Sequence, residues 1–218
     1  LLDNVTIRNI NWISQGTVNW IPFNSSANDL RFDNTTFTNQ GVLLLQNVNS
    51  GSTVIDLNGS SIVNAVGGII NSDPGTSVLV STPLTNNATA GGLNLVAGAG
   101  KVTILDGFVN TSQGNVTIGT DATLRVQGGD TLQLNGGTDF TGSTGTLDIA
   151  GGILDVNAAT DLSPVAMTLA VNTNGTILQV HNLTIPDTFD FTNGTIDGTG
   201  DFTTPASSAT LLDNVTIR

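Results

Sequence analysis

The chain has 218 residues, enough for one domain with a sizeable core, yet only 10% are charged, 38% are hydrophobic and the mean hydropathy is +0.16. Glu, Cys and Tyr are absent, all 17 acidic residues are Asp, and Arg8, Arg31, Lys101, Arg125 and Arg218 are the only basic ones, for a net charge of -12. This balance excludes nucleic acid and anionic lipid as partners, because both demand clustered Lys and Arg; the missing Cys excludes disulfides and thiolate metal sites.

The 33 Thr, 26 Gly and 25 Asn oppose helices. Thr, Val and Ile suit pleated surfaces, while Gly, Asn and Asp suit turns with unusual backbone angles. In chain order, alternating runs predict strands at TVNW, DLRFD, VLLLQ, TVIDLN, SVLVS, LNLV, KVTIL, NVTIG, TLRVQ, TLQLN, TLDIA, ILDVN, TLAVN, TILQVH and TFDFT. The best helical stretch, AATDLSPVAM, is interrupted by Pro164 and reads as a loop or a single turn. The longest apolar runs, GVLLLQNV and VGGII, fall well short of the roughly 20 residues a membrane helix needs.

Short strands with Asn and Gly at close turns favour an all-β, single-stranded parallel β-helix (a β-solenoid) over a sandwich of hairpins. Coils of roughly 20 to 25 residues give about nine or ten of them over the chain, with Thr and Asn side chains forming ladders from coil to coil. The octamer LLDNVTIR occupies residues 1–8 and again 211–218. Residues 1–218 therefore read as one continuous module with a 210-residue period. Leu211, Leu212, Asp213, Asn214, Val215, Thr216, Ile217 and Arg218 are expected to be the first strand of a following copy, at a position corresponding to residues 1–8. Neither end reads as a cap, so its open backbone groups are expected to be completed by an identical neighbour.

The segments NGTIDGTGDFT, ATLLDNVTI and QGTVNW, with FTNQGVLLLQN and GSTGTLDIAGGILDV, resemble the recurring phrases of filamentous-haemagglutinin-like and autotransporter-type β-helix repeat proteins of bacterial cell surfaces. The resemblance implies a right-handed parallel β-helix exported to the cell exterior and used in adhesion, surface layers or fibres. The resulting expectation is a structural extracellular repeat module whose partner is itself. An adhesin or carbohydrate-binding module that meets surface glycans is the alternative, and a polysaccharide-degrading β-helix enzyme stands behind both.

Candidate chemical sites are few. His181 is the only histidine, without a second ligand or triad partner in sequence. The nearest carboxylate clusters, Asp187 with Asp190 and Asp197 with Asp201, read as solvated turn residues, because Gly198 and Gly200 predict a turn between the second pair. The chain is therefore expected to be no enzyme and to need no cofactor, with calcium left open at VQGGDTLQLNGGTD around Asp130. Trp12 and Trp20 suit a core or a packing seam better than a sugar platform. Eleven Asn-x-Ser/Thr sequons occur, at Asn4, Asn24, Asn34, Asn58, Asn87, Asn110, Asn115, Asn174, Asn182, Asn193 and Asn214. Asn4, Asn34, Asn115 and Asn193 are candidate glycosylation sites, beside the plainer reading that a turn Asn followed by a strand Thr is the grammar of the solenoid.

Overall fold

The computed structural model describes residues 5–20, 30–46, 53–72, 78–89, 91–95, 101–105, 109–206 and 209–218. Every regular element among them is a strand, and each strand pairs in parallel with its counterpart one turn along the chain. The result is a β-solenoid. One face stacks Val5–Arg8, Leu30–Asp33, Thr53–Asn58, Val78–Ser81, Lys101–Leu105, Ala122–Gln127, Thr146–Ala150 and Thr168–Asn172, then the leading parts of Thr188–Gly198 and Ala209–Ile217. A second face stacks Asn11–Ser14, Thr36–Asn39, Ser61–Asn64, Leu84–Asn86, Val109–Ser112, Thr131–Leu134, Ile153–Val156 and Thr176–Gln179, then the trailing parts of the same two long strands. The third face is regular only from Thr17–Trp20 to Val116–Ile118. Near the other end it shrinks to the two-residue strands Thr160–Asp161, Leu183–Thr184 and Phe202–Thr203.

Parallel stacking in register places each residue directly over its equal on the neighbouring coil, about 4.8 Å away. Strand alternation sends every second side chain inward, where Leu132, Leu154, Ile177 and Ile196 form one apolar column and Val126, Ile149, Val171 and Phe191 another. Each fully buried aliphatic of this kind contributes about 1.5–3 kcal/mol. Two aromatic clusters lie toward opposite ends of the described coils. Phe37 lies between Phe32, at 5.9 Å, and Trp12, edge-on at 4.8 Å, while Phe189 meets Phe191 at 5.4 Å and Phe202 at 5.6 Å.

Between the first and second faces the chain turns sharply, at several corners through a residue in the left-handed region, Asn9 (φ 54°), Asn34 (48°), Gly59 (57°), Asn193 (57°) and Asn214 (53°) among them, and at Thr82 and Pro83 without one. Only Gly, and Asn among the larger residues, adopts this conformation at little cost, which accounts for much of the Asn and Gly content. The stretch around Pro164 is a turn, with Val165 N–H donating to the Leu162 carbonyl at 3.1 Å.

A buried asparagine ladder runs inside the corner between the second and third faces. Asn39 Nδ2 donates to Asn64 Oδ1 (2.8 Å), and Asn64 Nδ2 to Asn86 Oδ1 (3.0 Å), with Ser112 next in the column. The amides also hold the turn, since Asn39 Nδ2 reaches the Ile69 carbonyl, Asn64 Nδ2 that of Gly68 and Asn86 Nδ2 that of Asn115. Gly68 has no room for a Cβ, which would strike the Asn39 carbonyl and the Asn64 amide. An amide both donates and accepts, so identical residues satisfy one another along the axis. The ladder stops at Ser14, too short to reach, and Asn39 Oδ1 is buried without a partner.

Two substitutions test the ladder by chemical denaturation. Asn64→Ala strips a donor from Asn86 and an acceptor from Asn39, and is expected to cost about 3 kcal/mol. Ser14→Asn extends the donor direction to the orphaned Asn39 Oδ1 and is expected to add about 1 kcal/mol. A neutral Asn64→Ala variant would remove the ladder from the stability account.

Candidate functional site

The outer surface carries polar rows that continue the column rule. Arg125 Nε meets Asp148 Oδ2 at 2.7 Å, and Asn172 Nδ2 meets the other oxygen at 2.6 Å. Thr111 donates to Gln133 Oε1 at 3.2 Å and Gln133 Nε2 to Asp155 Oδ2 at 3.1 Å. Arg8 and Asn58 flank Asp33 in the same way. In none of the described registers does aspartate stack on aspartate, a pairing that would set two carboxylates about 4.8 Å apart.

The residues weighed for chemistry are dispersed. His181, Asp187 and Asp190 are exposed, with Asp190 accepting only from its neighbour Thr192 at 3.2 Å. Asp197 lies next to the end of the second-face strand, which closes at Gly198, and Asp201 follows the turn through Gly200, its backbone N–H donating to Asn182 Oδ1 at 3.1 Å. Asp130 is buried at the corner before Thr131, its carbonyl accepting from Ile153 N–H at 2.8 Å. Among the described residues no three His, Cys, Asp or Glu side chains gather where a cation could be held. No helix among them is long and apolar enough to cross a membrane. Trp20 is fully buried, in column with Leu45.

The sequons divide by station. Asn34, Asn174, Asn193 and Asn214 all take left-handed backbone angles at the corner between the first two faces. The threonine two places on, Thr36, Thr176, Thr195 or Thr216, is the outward residue of the second-face strand that follows, and the last three stack in one column. The sequon pattern at this corner thus follows from backbone geometry and strand alternation. Asn34 Nδ2 donates to Asn9 Oδ1 at 3.0 Å, and Asn193 Oδ1 accepts from Asn214 Nδ2 at 2.7 Å. Asn115 is half-buried and donates to the Thr89 carbonyl at 2.8 Å, while Asn110 is buried outright. Asn4 and Asn24 lie outside the described residues.

The repeated octamer does not occupy corresponding positions at its two occurrences. Of the first copy, residues 1–4 lie outside the described part, and Val5–Arg8 is a first-face strand paired with Leu30–Asp33, the corner following at Asn9. In the second copy Asp190, Phe191 and Thr192 pair with Leu211, Leu212 and Asp213 on the first face, the corner is Asn214, and Val215, Thr216 and Ile217 continue on the second face against Gly194, Thr195 and Ile196. Arg218 N–H donates to the Ile196 carbonyl at 3.0 Å. Leu212 and Ile217 stand 54% and 68% exposed, although Phe191 and Ile196, their neighbours in the inward columns, are buried. The physical reason is the presence of two corner asparagines. Asn214 lies inside the second octamer and Asn9 just after the first, and each closes a turn. Sequence reading treated the octamer as one strand and overlooked the corner; the Asp-Asn-x-Thr phrase shared by residues 33–36 and 213–216 was its signal.

The corner rule is checked at Asn34. Asn34→Ala forces a Cβ-bearing residue without a polar side chain into the left-handed region, with an expected loss of about 1–2 kcal/mol, whereas Asn34→Gly stays within about 0.5 kcal/mol in urea unfolding. Equal losses for both would contradict the rule. No protein-family model matches the chain, no curated protein matches it, and no solved structure matches it.

Proposed function

We propose that this chain is one unit of an end-to-end array of identical β-solenoid copies, a fibre or stalk outside the cell, with no catalytic step and no cofactor of its own. The observation that carries this reading is the octamer LLDNVTIR, which stands at residues 1–8 and again at 211–218 and so sets a 210-residue period on a fold whose inward columns run from coil to coil. The extracellular setting rests on the resemblance to bacterial surface repeats. No observation favours the carbohydrate-binding alternative, since Trp20 is buried and Trp12 lies against Phe37.

Stability in such an array is a sum of intrinsic and nearest-neighbour terms, so it rises as copies are joined. Three copies in tandem are expected to melt above one copy in calorimetry; equal melting temperatures would remove the array reading. Ile217→Ala is expected to cost under about 1 kcal/mol in a single copy and about 2–4 kcal/mol at a joint between copies, where a neighbour buries the side chain.

A further inference from the structure

The joint between copies raises a conflict that the single chain does not face. Resting on the array reading above, the octamer that ends one copy is also the octamer that begins the next, yet the two occurrences fold on different faces with different corners. One stretch of chain cannot hold both arrangements at once. We propose that the octamer is a two-register joint: with no following copy its corner is Asn214 and Val215–Ile217 lies on the second face, and with a following copy the corner moves to that copy's Asn9 and the same strand shifts to the first face.

Coil length decides between the registers. Side chains bonded between adjacent coils at this corner and in the ladder are 21 to 26 residues apart, as in Asn193–Asn214, Asn64–Asn86, Asn9–Asn34 and Asn86–Ser112. With a 210-residue period, the following copy's Asn9 comes 26 residues after Asn193 and 25 before its own Asn34, both inside that range. Keeping Asn214 as the corner leaves 21 residues before it and 30 to the following Asn34. The next turn would then carry surplus residues with no station to fill.

Contacts decide the same way. The Asn9 register keeps the Arg8–Asp33 ion pair at 3.2 Å, the Asn34–Asn9 amide bond at 3.0 Å and the packing of Trp12 on Phe37. It also places Ile7 and Trp12 in the columns they already pack against. The Asn214 register keeps one exposed amide bond, to Asn193. Side chains and turn length together favour the Asn9 register.

The chain lacks cysteine, so engineered pairs report the register without interference. Thr216 is outward-facing and stands beside Thr195 in the Asn214 register. In the Asn9 register it stands instead beside Thr192, one place past Phe191 in the column order of Val5 and Thr6. Neighbours in parallel register fall within the Cα separation that a disulfide spans. In one copy, Thr195→Cys with Thr216→Cys is expected to oxidise to a disulfide, and Thr192→Cys with Thr216→Cys to keep its thiols. In a two-copy chain, with the same substitutions at the joint, the Thr192 pair is expected to close and the Thr195 pair to stay reduced, read as free thiol by intact mass after alkylation. Closure of the Thr195 pair in the two-copy chain, alone or beside the other, overturns the proposal, as does failure of both pairs there when the single-copy control closes. The melting temperature of the same two-copy chain reads the array separately: no rise over one copy defeats the array whichever pair has closed.

Discussion

Each residue in this molecule is stacked on the residue that occupies the same place one turn away, and that constraint governs which residues the chain can use. Apolar side chains stack on their own kind without difficulty. Asparagine stacks on asparagine because its amide gives and takes one hydrogen bond along the axis, as Asn39, Asn64 and Asn86 do inside the core. Carboxylates cannot, and in the described registers each aspartate has another residue type beside it, among them arginine, asparagine, glutamine, alanine, leucine and threonine. A sequence with 10% charged residues, no Glu and one Lys is what such a constraint leaves.

The corners impose the second rule. At many of the described corners between the first two faces a residue takes the left-handed region, and asparagine or glycine supplies it at most of these. The next strand then starts with an outward position that suits threonine. Asn34, Asn174, Asn193 and Asn214 with their following threonines are therefore consequences of folding before they are anything else, and a sugar at that corner would have to share an edge already occupied by amide-to-amide bonds.

Many of the strands, the turn at Pro164 and the existence of asparagine ladders were legible in the sequence, because alternation and turn chemistry are local properties; the second-face strands Asn11–Ser14, Thr36–Asn39, Ser61–Asn64, Leu84–Asn86 and Val109–Ser112, short and rich in Asn, Ser and Thr, were not. Which residues share a column was not, since the spacing between bonded neighbours drifts between 21 and 26 residues and no local signal marks the drift. For the same reason the thinning of the third face beyond Ile118 and the near-complete burial of Asp148 between Arg125 and Asn172 could not be anticipated. The octamer illustrates the limit. Its identity at residues 1–8 and 211–218 is plain, but the station it occupies depends on which asparagine, Asn214 or Asn9, closes the corner beside it.

Everything rests on coil-over-coil pairing in parallel register, and scalar couplings transmitted through backbone hydrogen bonds in nuclear magnetic resonance read that pairing directly. The account predicts couplings from Ala65 N–H to the Asn39 carbonyl, from Asn87 N–H to that of Asn64 and from Gln113 N–H to that of Asn86, a single series advancing one coil at a time. Couplings that instead join adjacent strands in antiparallel order, as in a stack of hairpins, would contradict it.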